Sequence, residues 1–129
     1  MSSKLEKMKK AILADGIIDA AEVLEIKKAI YEDGKIDEEE ANFLFELNDA
    51  VSGKNNHASW KTLMVEAITQ HVLDDEASPN EIDDTEAKWL IAKIEKDGTY
   101  DDIEKAILLN IKKKATKISP LLQKKIAAL

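Results

Sequence analysis

A short acidic phrase, in which Asp-Gly is followed by an aliphatic residue, an Asp and a Glu, occurs twice near the start of the chain. Its two copies are residues 15–22 (DGIIDAAE) and residues 33–40 (DGKIDEEE). Glycine suits the left-handed conformation that follows a helix, and Asp-x-x-Glu forms a capping box at the start of the next helix. Each copy therefore predicts a helix end, a tight turn and a new helix, so the chain has to be built of short, closely linked helices.

Apolar residues around these turns recur at helical spacing, and no segment alternates between apolar and polar residues over the length of a strand. We therefore predict an all-α fold of about seven short helices. The predicted helices cover residues 3–14, 20–32, 38–52, 60–72, 84–96, 102–115 and a segment whose cap and first residue are Ser119-Pro120. The helix over 60–72 has the strongest apolar periodicity and is expected to be the central buried helix. The helix over 102–115 has a wide apolar face that includes Leu109, which predicts burial on more than one side.

The chain also repeats itself at a distance of 64 residues. At this offset, residues 18–47 align with residues 82–111 without a gap, and nine of the thirty positions are identical. The identities fall mainly on the turn and cap residues, which indicates a duplicated helix–turn–helix unit. We predict one compact domain over residues 1–129, with repeats at about 15–52 and 79–115 related by a pseudo-twofold axis around the central helix. The first turn differs between the repeats, because Pro79-Asn80 replaces Asp15-Gly16.

Composition excludes several classes of function. The chain has no Cys, which removes thiol catalysis, zinc–thiolate sites and disulfides. All 19 basic residues are Lys, and the absence of Arg disfavours nucleic-acid recognition. There is no nucleophile–base pairing, no glycine-rich phosphate loop and no HExxH motif, so we expect a protein that is not an enzyme. No apolar run has the length of a membrane span, and the expected location is cytoplasmic.

Charge is divided along the chain. Residues 15–104 carry 25 acidic residues and eight Lys, whereas residues 105–129 carry seven Lys and no acid. An acidic surface attracts cations and basic proteins. The charge distribution therefore predicts a basic protein partner, and it leaves the identity of that partner and the oligomeric state open.

The acidic turns have two interpretations. The phrase matches the second half of an EF-hand loop, but for the loop that ends at Glu22 the first and third ligand positions are Ala11 and Leu13, which argues against an ordinary EF-hand. In the first interpretation the turns are helix caps only. In the second, a pseudo-twofold axis brings the first turns of both repeats together around one divalent cation (Ca, Mn, Zn or Mg). The ligands of such a shared site would be Asp15, Asp19, Glu22, Asp75, Asp83 and Glu86.

The segment ADGIIDAAE at residues 14–22, with a related acidic turn at 74–86 after a long apolar helix, resembles the tellurite-resistance TerB-like family. This resemblance implies an all-α fold of about seven helices with an internal repeat. It also implies acidic turns linked to divalent-metal binding, in a cytoplasmic stress response and without catalysis. The expectation is a non-enzymatic TerB-like module that binds a divalent cation. The alternative is a plain helical protein-interaction domain whose acidic turns are only helix caps.

Three further side chains invite a functional interpretation. Trp60 continues the apolar face of its helix and is predicted to be core, whereas Trp89 lies off the apolar face of its own helix and is predicted to be partly exposed, as a contact residue would be. His71 could form a metal pair with Asp75, but a core histidine with one hydrogen-bond partner is the preferred interpretation.

Overall fold

A computed structural model describes residues 3–31, 36–51, 56–73, 80–95 and 102–128. Over these residues the chain forms seven helices and two strands of two residues each, which confirms the all-α prediction. The helices are α1 (Ser3–Asp15), α2 (Ala20–Ile30), α3 (Glu38–Val51), α4 (Ala58–Leu73), α5 (Asp84–Ile94), α6 (Asp102–Lys114) and α7 (Pro120–Ala127). Within the described ranges, none of these helices combines the length and the apolar character needed to cross a membrane.

The two strands were not predicted, because two residues are too few to show an alternating pattern. Strand β1 (Glu81–Ile82) and strand β2 (Lys117–Ile118) pair in parallel. The Ser119 N–H extends this contact by donating to the Ile82 carbonyl oxygen at 2.7 Å. This short ladder joins the turn before α5 to the turn before α7.

The chain divides into two compact units, Met1–Ala67 and Ile68–Leu129, with the boundary inside α4. The predicted pseudo-twofold arrangement of the repeats around one central helix stays a prediction. The described helices nevertheless follow the 64-residue repeat closely. Shifted by 64 residues, the bounds of α2 fall on those of α5, and Glu38 at the start of α3 falls on Asp102 at the start of α6.

Each unit has an apolar core made from the inward faces of its helices. In unit 1 the core includes Ile12, Ile18, Val23, Ile26, Ile30, Phe43, Leu44, Phe45, Leu47, Trp60 and Met64. In unit 2 it includes Ile68, Val72, Ile82, Ala87, Leu90, Ile94, Ile107, Leu108, Ile111, Leu122 and Ile126. The predicted burial of Trp60 is confirmed, since its side chain is fully buried.

The predicted burial of Leu109 is wrong. Its side chain is 53% exposed, and α6 buries only one face, formed by Glu104, Ile107, Leu108 and Ile111. The run of apolar residues between 106 and 111 looked wide in sequence because two leucines are adjacent. Adjacent residues on a helix point about 100° apart, so both need not face one core.

Candidate functional site at the acidic turns

The first turn of unit 1 follows α1 directly. The Gly16 N–H donates to the Ile12 carbonyl oxygen at 2.9 Å, and Gly16 has a φ of +77°, in the left-handed region that ends many helices. Two residues later Ile18 is fully buried, whereas Ile17 is 40% exposed. The turn thus reverses the chain and places a single aliphatic side chain in the core.

The acids of this turn form a capping box at the start of α2. The Glu22 N–H donates to Asp19 Oδ1 at 2.8 Å, and the Asp19 N–H donates to Glu22 Oε1 at 3.0 Å. Both bonds satisfy backbone donors that a helix N-terminus leaves without intrahelical partners. The prediction that Asp19 and Glu22 cap a helix is therefore confirmed.

The first turn of unit 2 shares three features with that of unit 1: a left-handed residue, a buried isoleucine and a capping box. Asn80 has a φ of +63° and stands where the 64-residue offset places Gly16. Ile82 is buried as Ile18 is, and the capping box recurs: Glu86 N–H donates to Asp83 Oδ1 at 2.8 Å and Asp83 N–H donates to Glu86 Oε1 at 3.1 Å. Asn is the residue after Gly that best tolerates the left-handed conformation. Asn80 therefore takes the left-handed position that Gly16 takes in unit 1. The bond before it differs, because the Asn80 N–H donates to the Leu73 carbonyl oxygen, seven residues back, whereas the Gly16 N–H donates to that of Ile12, four residues back.

The second turns are described in part. The Glu40 N–H donates to Asp37 Oδ1 at 2.7 Å and the Asp37 N–H donates to Glu40 Oε1 at 3.0 Å, which makes a third capping box. The second Asp-Gly pair of unit 1, at 33–34, and the corresponding turn of unit 2 up to residue 101 lie outside the described residues.

In both units the buried isoleucine of the first turn accepts a backbone hydrogen bond from the residue that precedes a later helix. The His57 N–H donates to the Ile18 carbonyl oxygen at 2.9 Å, as the Ser119 N–H does to that of Ile82. His57 and Ser119 precede α4 and α7, and each side chain accepts a bond from the backbone N–H two residues later. Helices α4 and α7 are therefore equivalent. The sequence did not reveal this, because the relation needs an offset of 62 and not 64 residues.

Unit 1 concentrates negative charge around Glu22. Burial raises the pKa of the Glu22 carboxyl above its ordinary value of 4.5, and the charges of Asp19, Asp15 and Glu25 raise it further. The bond from the Asp19 N–H acts in the opposite direction, because it favours the ionised carboxylate. Glu22 is thus a carboxylate held among like charges.

The described residues do not assemble a metal centre. Among them, no three or more His, Asp or Glu side chains are placed so that they could hold one ion. Asp15, Asp19 and Glu22 therefore do not form a three-ligand site by themselves. Asp75 lies outside the described residues, so the shared site over both first turns stays a prediction.

His71, predicted as a core histidine, and Trp89, predicted as a contact residue, both lie in unit 2. The rings of His71 and Trp89 contact each other, with centroids 5.2 Å apart and planes tilted by 59°. Both side chains are half-buried, as predicted for Trp89, whereas His71 is less buried than a core residue. The alternative metal pair of His71 with Asp75 falls outside the described residues.

A cleft in unit 2 opens where β1 meets β2. It is lined by residues 81–85 and 117–120, and Ser119 Oγ donates to Asp84 Oδ1 at 2.5 Å across it. The sequence predicted Ser119 as the cap of α7, which is confirmed by its bond from the Leu121 N–H at 3.3 Å. The link to Asp84 was missed because the two residues lie 35 positions apart.

Comparisons of this chain with protein-family models, with curated proteins and with solved structures found no match.

Proposed function

We propose that the chain is a non-enzymatic helical interaction module, similar in its turns to the TerB-like family, whose acidic turns are helix caps. One observation carries this proposal. All four carboxylates of the two described capping boxes in the first turns accept a bond from a backbone N–H of their own turn, at 2.8 to 3.1 Å. The fold needs these acids, so their recurrence has an explanation that requires no ligand.

The acidic face of α3 supports a basic partner. Three acidic residues of α3 are exposed: Glu39, Glu46 and Asp49. The first two are seven residues apart and the last two are three apart, which places all three along one side of the helix. Lys9 of α1 already forms an ion pair with Glu46. A lysine-rich segment of another protein would find similar carboxylates along this face.

A binding measurement tests this function. The probe is a fluorescent Lys/Ala peptide of about four helical turns, with a Glu/Ala peptide of the same length as its control. We expect the basic peptide to bind at low salt, and the double variant Glu39→Gln/Asp49→Asn to weaken binding about fivefold or more. The matched variant Glu25→Gln/Glu66→Gln removes two exposed charges elsewhere in unit 1 and should change binding less than about twofold. Equal losses in both variants would mean that net charge alone attracts the peptide.

A divalent cation is the second candidate, favoured by the charge around Glu22. Burial is the main cause of the raised pKa of Glu22, and the charges of Asp19, Asp15 and Glu25 raise it further. A bound cation would remove the repulsion among these charges. This is the function that the TerB-like resemblance implies, in a tellurite or chemical-stress context.

Thermal unfolding of chelator-treated protein with Ca, Mn, Zn or Mg added singly tests it. Glu22→Gln is the informative variant, because Gln keeps the acceptor for the Asp19 N–H and removes only the charge. A rise in melting temperature that Glu22→Gln abolishes would support a cation at this turn. If Glu86→Gln abolishes the rise as well, the cation is shared by both first turns. The absence of a rise with any of the four ions would overturn this candidate.

A further inference from the structure

Helices α3 and α6, the second helices of the two repeats, differ in one face. Their first apolar face is equivalent and buried in both units, with Phe43, Leu44 and Leu47 on α3 and Ile107, Leu108 and Ile111 on α6. The second face does not correspond in this way. On α3 it consists of Ala41, Phe45 and Asn48, which are at most 1% exposed. At the same offset α6 has Lys105, Leu109 and Lys112, which are all exposed; we call these three residues the α6 stripe.

In unit 1 helix α4 contacts this second face at Asn48. The Trp60 indole N–H of α4 donates to Asn48 Oδ1 at 3.1 Å, and both side chains are buried. The backbone bond from His57 to Ile18 fixes where α4 begins. In unit 1 an aromatic side chain from a neighbouring helix thus covers the Asn48 end of the second face.

In unit 2 the equivalent residues, which form the α6 stripe, are exposed. Helix α7 begins at the equivalent position and buries Leu122 and Ile126, yet Leu109 remains 53% exposed. Leu109 has lysines as its neighbours one helical turn away, at 105 on one side and at 112 and 113 on the other. The stripe is therefore an apolar centre with positive charge at both ends.

We propose that the α6 stripe is the docking surface for an acidic amphipathic helix of a partner protein. At the equivalent face of unit 1, Asn48 accepts a bond from the Trp60 side chain of α4, so a neighbouring helix can reach this face. A second helix would place an apolar side chain on Leu109 and carboxylates beside Lys105 and Lys112, as in other helix-in-groove contacts. A basic helix would be repelled there. An anionic membrane surface fits less well, because α6 already buries its larger apolar face in unit 2 and has one exposed leucine to insert.

The test is a titration with a labelled synthetic helix of about four turns, with leucines on one face and glutamates beside them, followed by fluorescence anisotropy. Leu109→Asp should weaken binding about tenfold or more. Leu24→Asp on α2 is the matched control, because Leu24 is 60% exposed, and it should change binding less than about twofold. Both positions are exposed, so both variants should fold, which circular dichroism checks.

A charge exchange makes the test more specific. The double variant Lys105→Glu/Lys112→Glu should lose the glutamate peptide and gain a peptide in which lysines replace the glutamates. The proposal is overturned if the glutamate peptide does not bind, or if Leu24→Asp weakens it as much as Leu109→Asp does. It is also overturned if sedimentation shows a homodimer that Leu109→Asp abolishes, since a second copy would then be the occupant. Binding to phosphatidylglycerol vesicles that depends on Leu109 would assign the stripe to a lipid surface.

Discussion

In the first turn of each unit one residue has the left-handed conformation, but the identity of this residue differs between the units. Unit 1 uses Gly16 in the left-handed conformation and unit 2 uses Asn80. Both turns then bury one isoleucine and start the next helix with a reciprocal Asp–Glu box. A left-handed residue, a buried isoleucine and a capping box are present in both turns. These shared features explain the recurrence of the acidic phrase.

The difference between the turns bears on the cation. Asp15 precedes Gly16 in unit 1, whereas Pro79 precedes Asn80 in unit 2. The Pro79 side chain offers no oxygen ligand, so a cation that depends on a carboxylate before the left-handed residue would need Asp15 of unit 1. A helix cap makes no such distinction. Equal losses of stability from matched substitutions in the two turns, measured with chelator present, therefore support the cap. A stabilisation that appears only with added cation and is lost on substitution supports the cation.

The largest effect is expected from the buried isoleucines. Ile18→Ala and Ile82→Ala should each lower the free energy of unfolding by about 2–5 kcal/mol, because each removes a side chain at most 2% exposed. Ile17→Ala, at an exposed neighbouring position, should change it by less than about 0.5 kcal/mol. Urea denaturation measures all three. Equal effects at 17 and 18 would mean that the turn does not anchor the core.

Substitutions at the left-handed residue should come next. A Cβ on Gly16 would meet no atom within 4 Å, so Gly16→Ala should cost only the conformational strain, about 1–2 kcal/mol. Gly16→Asn should cost less, because unit 2 already uses Asn there. Urea denaturation of the two variants separates these expectations, and equal costs for Ala and Asn would break the equivalence of the two turns.

Loss of a cap should have a similar effect in either unit. Asp19→Ala and Asp83→Ala should each cost about 1 kcal/mol in the presence of chelator, because each leaves a helix N–H without its acceptor. Asp15→Ala is the control, since Asp15 lies before the capping box. If Asp15→Ala costs as much as Asp19→Ala, or if the two caps respond differently to chelator, the turn has a role beyond capping.

The smallest effect concerns pH. The pKa of Glu22 is raised in the folded state above its ordinary value of 4.5. The folded protein therefore holds a proton on this carboxyl at pH values where the unfolded chain has already lost it. The contribution of Glu22 to stability is therefore greatest below that window and falls as pH rises through it. Glu22→Gln should match the wild type at acidic pH and exceed it near neutrality by about 0.2–0.5 kcal/mol. Denaturation at a series of pH values measures the difference, and the opposite slope would contradict the repulsion around Glu22.

Local patterns in the sequence predicted what depends on a few neighbouring residues. The capping boxes and the end of α1 before Gly16 both follow from spacings of a few residues. Helix α2 ends at Ile30, two residues before its predicted end, with the Tyr31 N–H still donating to the Lys27 carbonyl oxygen. Such differences of one or two residues are usual where a helix frays.

Long-range contacts could not be predicted in the same way. The pairing of Ile82 with Ile118 joins backbone groups 36 residues apart and carries no periodic signal. The exposure of Leu109 depends on which helix covers the second face of α6, and the apolar pattern of α6 alone cannot show that. The two repeats therefore look more alike in sequence than they are in their surfaces.

The central claim is that the first-turn carboxylates hold backbone N–H groups, and amide hydrogen exchange measured by NMR tests it most directly. With chelator present, Asp19→Ala should accelerate exchange of the Glu22 amide roughly fivefold and leave the Glu86 amide unchanged, and Asp83→Ala should do the reverse. The claim would be contradicted if the Glu22 amide exchanged at the same rate in the wild type and in Asp19→Ala, or if it were protected only after a divalent cation was added.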